Sequence, residues 1–165
     1  MHKTKWIAVL LVMAVALALG ACDHKPVSGP KPQEVRVFFD SEVREFSPAS
    51  TSFSSIHQVL DELIKAVNVN TGVFYTDRRF RTEFGSAPRV FATYGPDVQL
   101  DTALGSVTAY RVIIVTNLMG DPLIFIQGTG DSQSFALYTT TDIAKFKKFA
   151  NVVKERTGCP LMPGE

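Results

Sequence analysis

Histidine is scarce in this chain: His2, His24 and His57 are its three copies in 165 residues. A Ser, His and Asp triad needs a histidine in the folded region, and His57 is the candidate, with no G-x-S-x-G elbow beside it. Cysteine occurs twice, as Cys22 and Cys159, too few for a disulfide framework or a zinc site built on thiolates. Charge of one sign is also lacking. The formal net charge is +1, so the strongly basic footprint of a nucleic-acid binder is absent. No apolar run is long enough to span a bilayer, because the longest, Ile7 to Leu19, covers only about 20 Å as a helix against a hydrocarbon core of about 30 Å.

That short run belongs to a patterned leader. Met1 to Trp6 carries Lys3 and Lys5, the apolar run follows, and it ends in Leu19-Gly20-Ala21-Cys22. The four residues resemble the lipobox of bacterial prolipoproteins, in which an aliphatic residue and two small ones precede an obligatory cysteine. The resemblance implies that the Cys22 thiol takes a diacylglyceryl group, that signal peptidase II cuts between Ala21 and Cys22, and that the new amino terminus is open to acylation. Cysteine suits this step as a soft nucleophile forming a stable thioether. Each buried methylene contributes about 0.8 kcal/mol, so two or three acyl chains hold firmly where one binds reversibly. Asp23 resembles the inner-membrane retention signal of enterobacterial lipoproteins. The resemblance thus implies a chain held on the periplasmic side, at the inner rather than the outer membrane. It covers the first 22 residues and names no family for the folded part.

Loss of residues 1–21 leaves 144 residues, the size of one domain, and moves the net charge to −1. Residues 22–33 contain Pro26, Pro30 and Pro32 with Ser28 and Gly29, and read as a tether; eleven such residues reach about 34 Å when extended. Residues 34–165 form the domain. Val35, Val37 and Phe39 predict a strand, and Asp40-Ser41 a turn back into a second one. Ile56, Val59, Leu60, Leu63, Ile64 and Val67 share one helical face, with Ser55 and Gln58 spaced as a capping box. Strands are expected at Thr71 to Thr76, Arg79 to Phe84, Pro88 to Tyr94, Val107 to Thr116, Leu123 to Gln127 and Ser134 to Tyr138. Gly95-Pro96-Asp97 is expected to end the Pro88 to Tyr94 strand. A last helix from Asp142 to Arg156 presents Ile143, Phe146, Phe149, Ala150 and Val153 inward. The predicted fold is α+β: an antiparallel sheet of five to seven strands against two amphipathic helices.

Few residues in the domain suggest chemistry. His57 reads as a boundary residue with Asp61 one turn on. No metal ligand set emerges: Asp97 and Asp101 lack a helix to align them, and Gly128-Thr129-Gly130-Asp131 lacks the lysine and hydroxyl of a phosphate loop. Arg78, Arg79 and Arg81 around Phe80 form the local basic cluster, a candidate surface for an acidic partner or headgroup, balanced by Asp77 and Glu83. The lysines of the last helix read as a solvated face. Cys159 is unpaired within the chain if Cys22 carries lipid. No cofactor is implied besides the covalent lipid, and no catalytic residues are assigned. The expected function is a lipid-anchored, noncatalytic binding, scaffold or inhibitor module contacting the membrane and an envelope protein or other envelope component. The alternative is a periplasmic enzyme or small-ligand carrier whose site is assembled from distant residues.

Overall fold

Alternation of apolar side chains along extended segments builds a sheet that is buried on both faces. In the computed structural model, which describes residues 29–130 and 133–162, the order of elements is β1 (Glu34–Phe39), β2 (Glu42–Phe46), α1 (Thr51–Lys65), β3 (Val69–Thr76), α2 (Asp77–Phe84), β4 (Arg89–Thr102), β5 (Gly105–Thr116), β6 (Pro122–Gln127), β7 (Ser134–Thr139) and α3 (Ile143–Thr157). Seven strands form one antiparallel sheet in the order β2-β1-β4-β5-β6-β7-β3. The fold is α+β, as the residue pattern predicts.

The larger core lies between the sheet and the α1/α3 pair. It joins Val35 and Val37 of β1, Val90 and Ala92 of β4, Val112 and Ile114 of β5, and Ile124 and Ile126 of β6 to Ile56, Leu60 and Leu63 of α1 and Phe146, Phe149 and Val153 of α3. The opposite face packs Ile113 and Val115 of β5, Phe125 of β6, and Phe135 and Leu137 of β7 beneath Phe80 of α2, with Phe84 at its margin. Aromatic rings dominate this smaller core: Phe80 meets Phe125 and Phe91 nearly edge-on, with centroids 5.1 and 6.4 Å away.

Three local expectations are corrected. Arg79 to Phe84 is not a strand but the body of α2, because Phe80 and Phe84, four apart, share a helical face, and Asp77–Arg81 and Arg79–Glu83 pair at the same spacing. Thr76 caps it, its side chain accepting from the Arg79 amide. Helix α1 starts one turn earlier than the Ser55–Gln58 spacing suggested. Phe53 extends the buried stripe toward the N-terminus, and the Ser50 hydroxyl accepts from the Phe53 amide at 3.1 Å. Finally, Gly95-Pro96-Asp97 interrupts β4 without ending it. The register against β5 shifts between Thr93 and Val98, Asp97 adopts φ 56°, and the strands continue as a ribbon to Thr102. Leu100 and Ala109 of this ribbon join the α1/α3 core, and the Ala103 amide at its turn donates to the Val67 carbonyl at 3.0 Å.

Both sheet edges are unsuited to pairing with another chain. Edge strand β2 carries Glu42, Arg44 and Glu45, whereas β3 shifts register between Asn70 and Phe74, with Gly72 at φ 70°. Helix α3 begins at an Asp142 cap and ends at Gly158 in the left-handed conformation.

The two serines near the start of α1 give a direct test of its cap. Ser50→Ala should lower unfolding free energy by about 1 kcal/mol, whereas Ser55→Ala should change it by less than about 0.5 kcal/mol, measured by urea titration.

Candidate functional site

The segment that enters the domain lies along α1. The backbone at Gly29 runs so close to the Asp61 carboxylate that a Cβ there would require the Asp61 side chain to shift. His57 Nε2 lies 3.1 Å from the Pro30 carbonyl, the Lys31 ammonium stands over the Phe53 ring at 5.5 Å, and Pro32 is buried. The Gln33 amide then donates to the Thr93 carbonyl at 2.8 Å, leading directly into β1. Residues 29–33, assigned to the tether from composition, thus form a strap against the helix.

His57 is only 5 % exposed, in contrast to the boundary position expected for it. Its hydrogen-bond partner is the Pro30 carbonyl, while Asp61 forms an ion pair with Lys65 at 2.7 Å. Burial lowers the imidazole pKa below its ordinary value, opposed by the Pro30 hydrogen bond and the nearby Asp61 carboxylate; Lys31 and Lys65 add smaller lowering effects. A ring held in this way is a packing and docking element for the strap.

The three arginines singled out from sequence are brought onto one exposed helix, α2, but two are engaged there. Arg79 donates to Glu83 at 2.8 Å and lies over the Tyr75 ring at 4.1 Å, and its hydrogen bond holds Glu83 below the usual carboxylate range. Arg81 pairs with Asp77 at 2.8 Å. Arg78 and Arg81 line an open depression of about 530 Å³ with Thr76, Asp77, Thr82 and Gln133. Its walls carry both signs of charge, which weakens any selective attraction for an anion. The lysines of α3 behave similarly: Lys145 and Lys148 converge on Glu62 of α1, and the Lys148 hydrogen bond lowers the Glu62 pKa.

Arg89, which drew no attention in the sequence, stacks its guanidinium 4.6 Å from the Phe38 ring and donates through Nη1 to the carbonyls of Gly85 and Ala87 at 2.7 and 3.0 Å. It closes the C-terminal end of α2 and forms one wall of a second depression, about 440 Å³, beside Asp40 and Glu42. Its only linear signal was a basic residue shortly after a helix that itself went unrecognised. Cys159 is 1 % exposed, with Sγ facing the Phe38 carbonyl, and burial pushes its thiol up to about 11. Such a thiol is unreactive and cannot reach another chain while the domain is folded.

Among the described residues, no three His, Cys, Asp or Glu side chains group to hold a metal ion. No helix among them is long and apolar enough to cross a membrane. Ala21, Cys22 and Asp23 lie outside the described residues, as do His24 and Asp131. Comparison with protein-family models, curated proteins and solved structures found no match to this chain.

Two measurements check these environments. Because the His57 pKa is lower folded than unfolded, the unfolded chain binds the extra proton first as pH falls, so His57 contributes stability that is present above about pH 6.5 and lost on acidification. Denaturant titrations at pH 7.5 and 5.5 should show a smaller loss of stability in His57→Gln than in the parent chain; equal losses would remove His57 as the cause. Cys159 should resist a thiol reagent in native buffer and react promptly in denaturant, as read by absorbance.

Proposed function

We propose that this chain is a bacterial envelope lipoprotein, tethered through lipid on Cys22, whose domain serves as a noncatalytic binding, scaffold or inhibitor module. The observation that carries the reading is the unbroken series Lys3, Lys5, the apolar run, and Leu19-Gly20-Ala21-Cys22, in the order that lipid modification requires. The strap supports it. With residues 29–33 fastened to α1, six residues separate Cys22 from the folded domain, so the domain would work close to the bilayer. Asp23 favours the periplasmic face of the inner membrane over the outer membrane. The module's partners in this reading are the membrane, through the anchor, and an envelope protein or another envelope component.

The enzyme or carrier alternative gains no support from His57, whose Nε2 engages a backbone carbonyl beneath the strap. Nor do the arginines of α2 form an unopposed basic face, since Asp77 and Glu83 pair with Arg81 and Arg79. Binding through a larger composite surface of hairpin turns and α2 fits this arrangement better than binding at a single charged spot.

Metabolic labelling with radioactive palmitate tests the anchor. The parent chain should incorporate label and sediment with membranes. Cys22→Ser should lose the label and leave the membrane-lipid fraction; retention of label by that variant would refute the assignment. Crosslinking the lipidated protein in its own membranes then identifies what the module contacts.

A further inference from the structure

Two neighbouring side chains at the turn between β5 and β6 are almost wholly exposed despite being large and apolar: Leu118 is 100 % and Met119 88 % accessible. The turn that displays them is rigidly hydrogen-bonded. Met119 and Asp121 amides both donate to Asn117 Oδ1 at 2.9 Å, the Gly120 amide to the Asn117 carbonyl at 3.0 Å, and the Asn117 amide to the Asp121 carbonyl at 3.0 Å. The Asn117 side-chain amide also donates to the Asp121 carboxylate at 3.0 Å. Gly120, at φ 86°, occupies the left-handed position that closes the loop. Leu118 and Met119 therefore cannot relax toward the core without breaking this network.

A tip with apolar side chains outside and the amides of Met119, Gly120 and Asp121 satisfied inside suits the apolar edge of a bilayer, where unmet backbone donors are costly. Two side chains are far fewer than the roughly 20–30 residues a side of a stable protein interface. A fluid bilayer requires no matching shape. We propose that Leu118 and Met119 insert into the bilayer interface as a second membrane contact beside the lipid on Cys22, an inference that rests on the lipoprotein reading. The dimensions permit it. Gln33 is bonded to Thr93, Thr93 pairs with Arg111, and Arg111 lies five residues before Thr116 on β5, about 17 Å of strand. Cys22 to Gly29 spans at most about 25 Å of extended chain, longer than that stretch of strand. Once the anchor is in place, insertion becomes intramolecular, so even a weak tip contact is occupied.

The test uses the full chain carrying Leu118→Trp together with Trp6→Phe, which leaves one tryptophan reporter, purified from membranes and reconstituted into vesicles of phosphatidylethanolamine and phosphatidylglycerol. Intact mass reports whether Cys22 carries lipid. Asn151→Trp with Trp6→Phe, at an exposed position of α3, is the control. With lipid on Cys22, the tip reporter should show blue-shifted emission and quenching by brominated lipid severalfold above the control. Quenching equal to the control would overturn the insertion while the anchor reading survives. If mass shows no lipid, the anchor reading fails separately, and the unlipidated chain added to the same vesicles decides the insertion: quenching upholds it, and no quenching overturns it. Shielding in native membranes but not in protein-free vesicles would assign the tip to a membrane protein and also overturn it.

Discussion

Along the second half of β5, Val112 and Ile114 face the α1/α3 core while Ile113 and Val115 face the core beneath α2, and none of the four is more than 1 % exposed. A strand buried on both sides must have a layer on each side. The α1/α3 pair supplies one and the short helix α2 the other. Each fully buried aliphatic side chain of this kind contributes about 1.5–3 kcal/mol relative to exposure, so removing either layer would expose several such groups at once. Neighbouring β4 and β6 inherit the constraint through their register with β5, as Val90 pairs with Ile114 and Phe125 with Ile113.

The burial of this sheet also explains where polar groups collect. Helix α2 must turn Phe80 and Phe84 inward, which leaves its arginines and acids outside to pair with one another. At the other layer, α1 is covered on one flank by α3 and on another by residues 29–33, so His57, polar in sequence, is enclosed without being adapted to chemistry. Entry into the domain thus runs along α1, where Gly29 lies close to Asp61 and Pro30 supplies the carbonyl that faces His57.

Much of the architecture was legible because periodicity is a local property. The stripe from Ile56 to Val67, the alternation at Val35 and Val37, the doubly apolar stretch at Ile113 to Val115 and the inward positions of α3 all reappear as core. The failures have a common origin. In Arg79 to Phe84 a six-residue window alternates well enough for a strand, and only the core that receives Phe80 and Phe84 together selects the helix. Ser55 and Gln58 have the spacing of a cap, but Phe53 is buried, so the helix must already have begun. Gly95-Pro96-Asp97 has the residues of a terminus, yet packing of Leu100 against α1 and the Ala103 amide carries the ribbon beyond it.

The candidate site divides in the same way. The order of charges, apolar run and Leu19-Gly20-Ala21-Cys22 is a linear pattern, and the proposed lipid anchor rests on that pattern alone, independently of the fold. The sequence by itself also determined the α+β class, since helical and extended periods differ in ways no neighbour is needed to reveal. Only the tertiary structure decided that His57 is enclosed, that Arg79 and Arg81 are paired, that Cys159 is shielded, and that Leu118 and Met119 stand in solvent. Exposure and pairing depend on groups brought together across the sheet and around its turns. No spacing along the chain encodes that proximity.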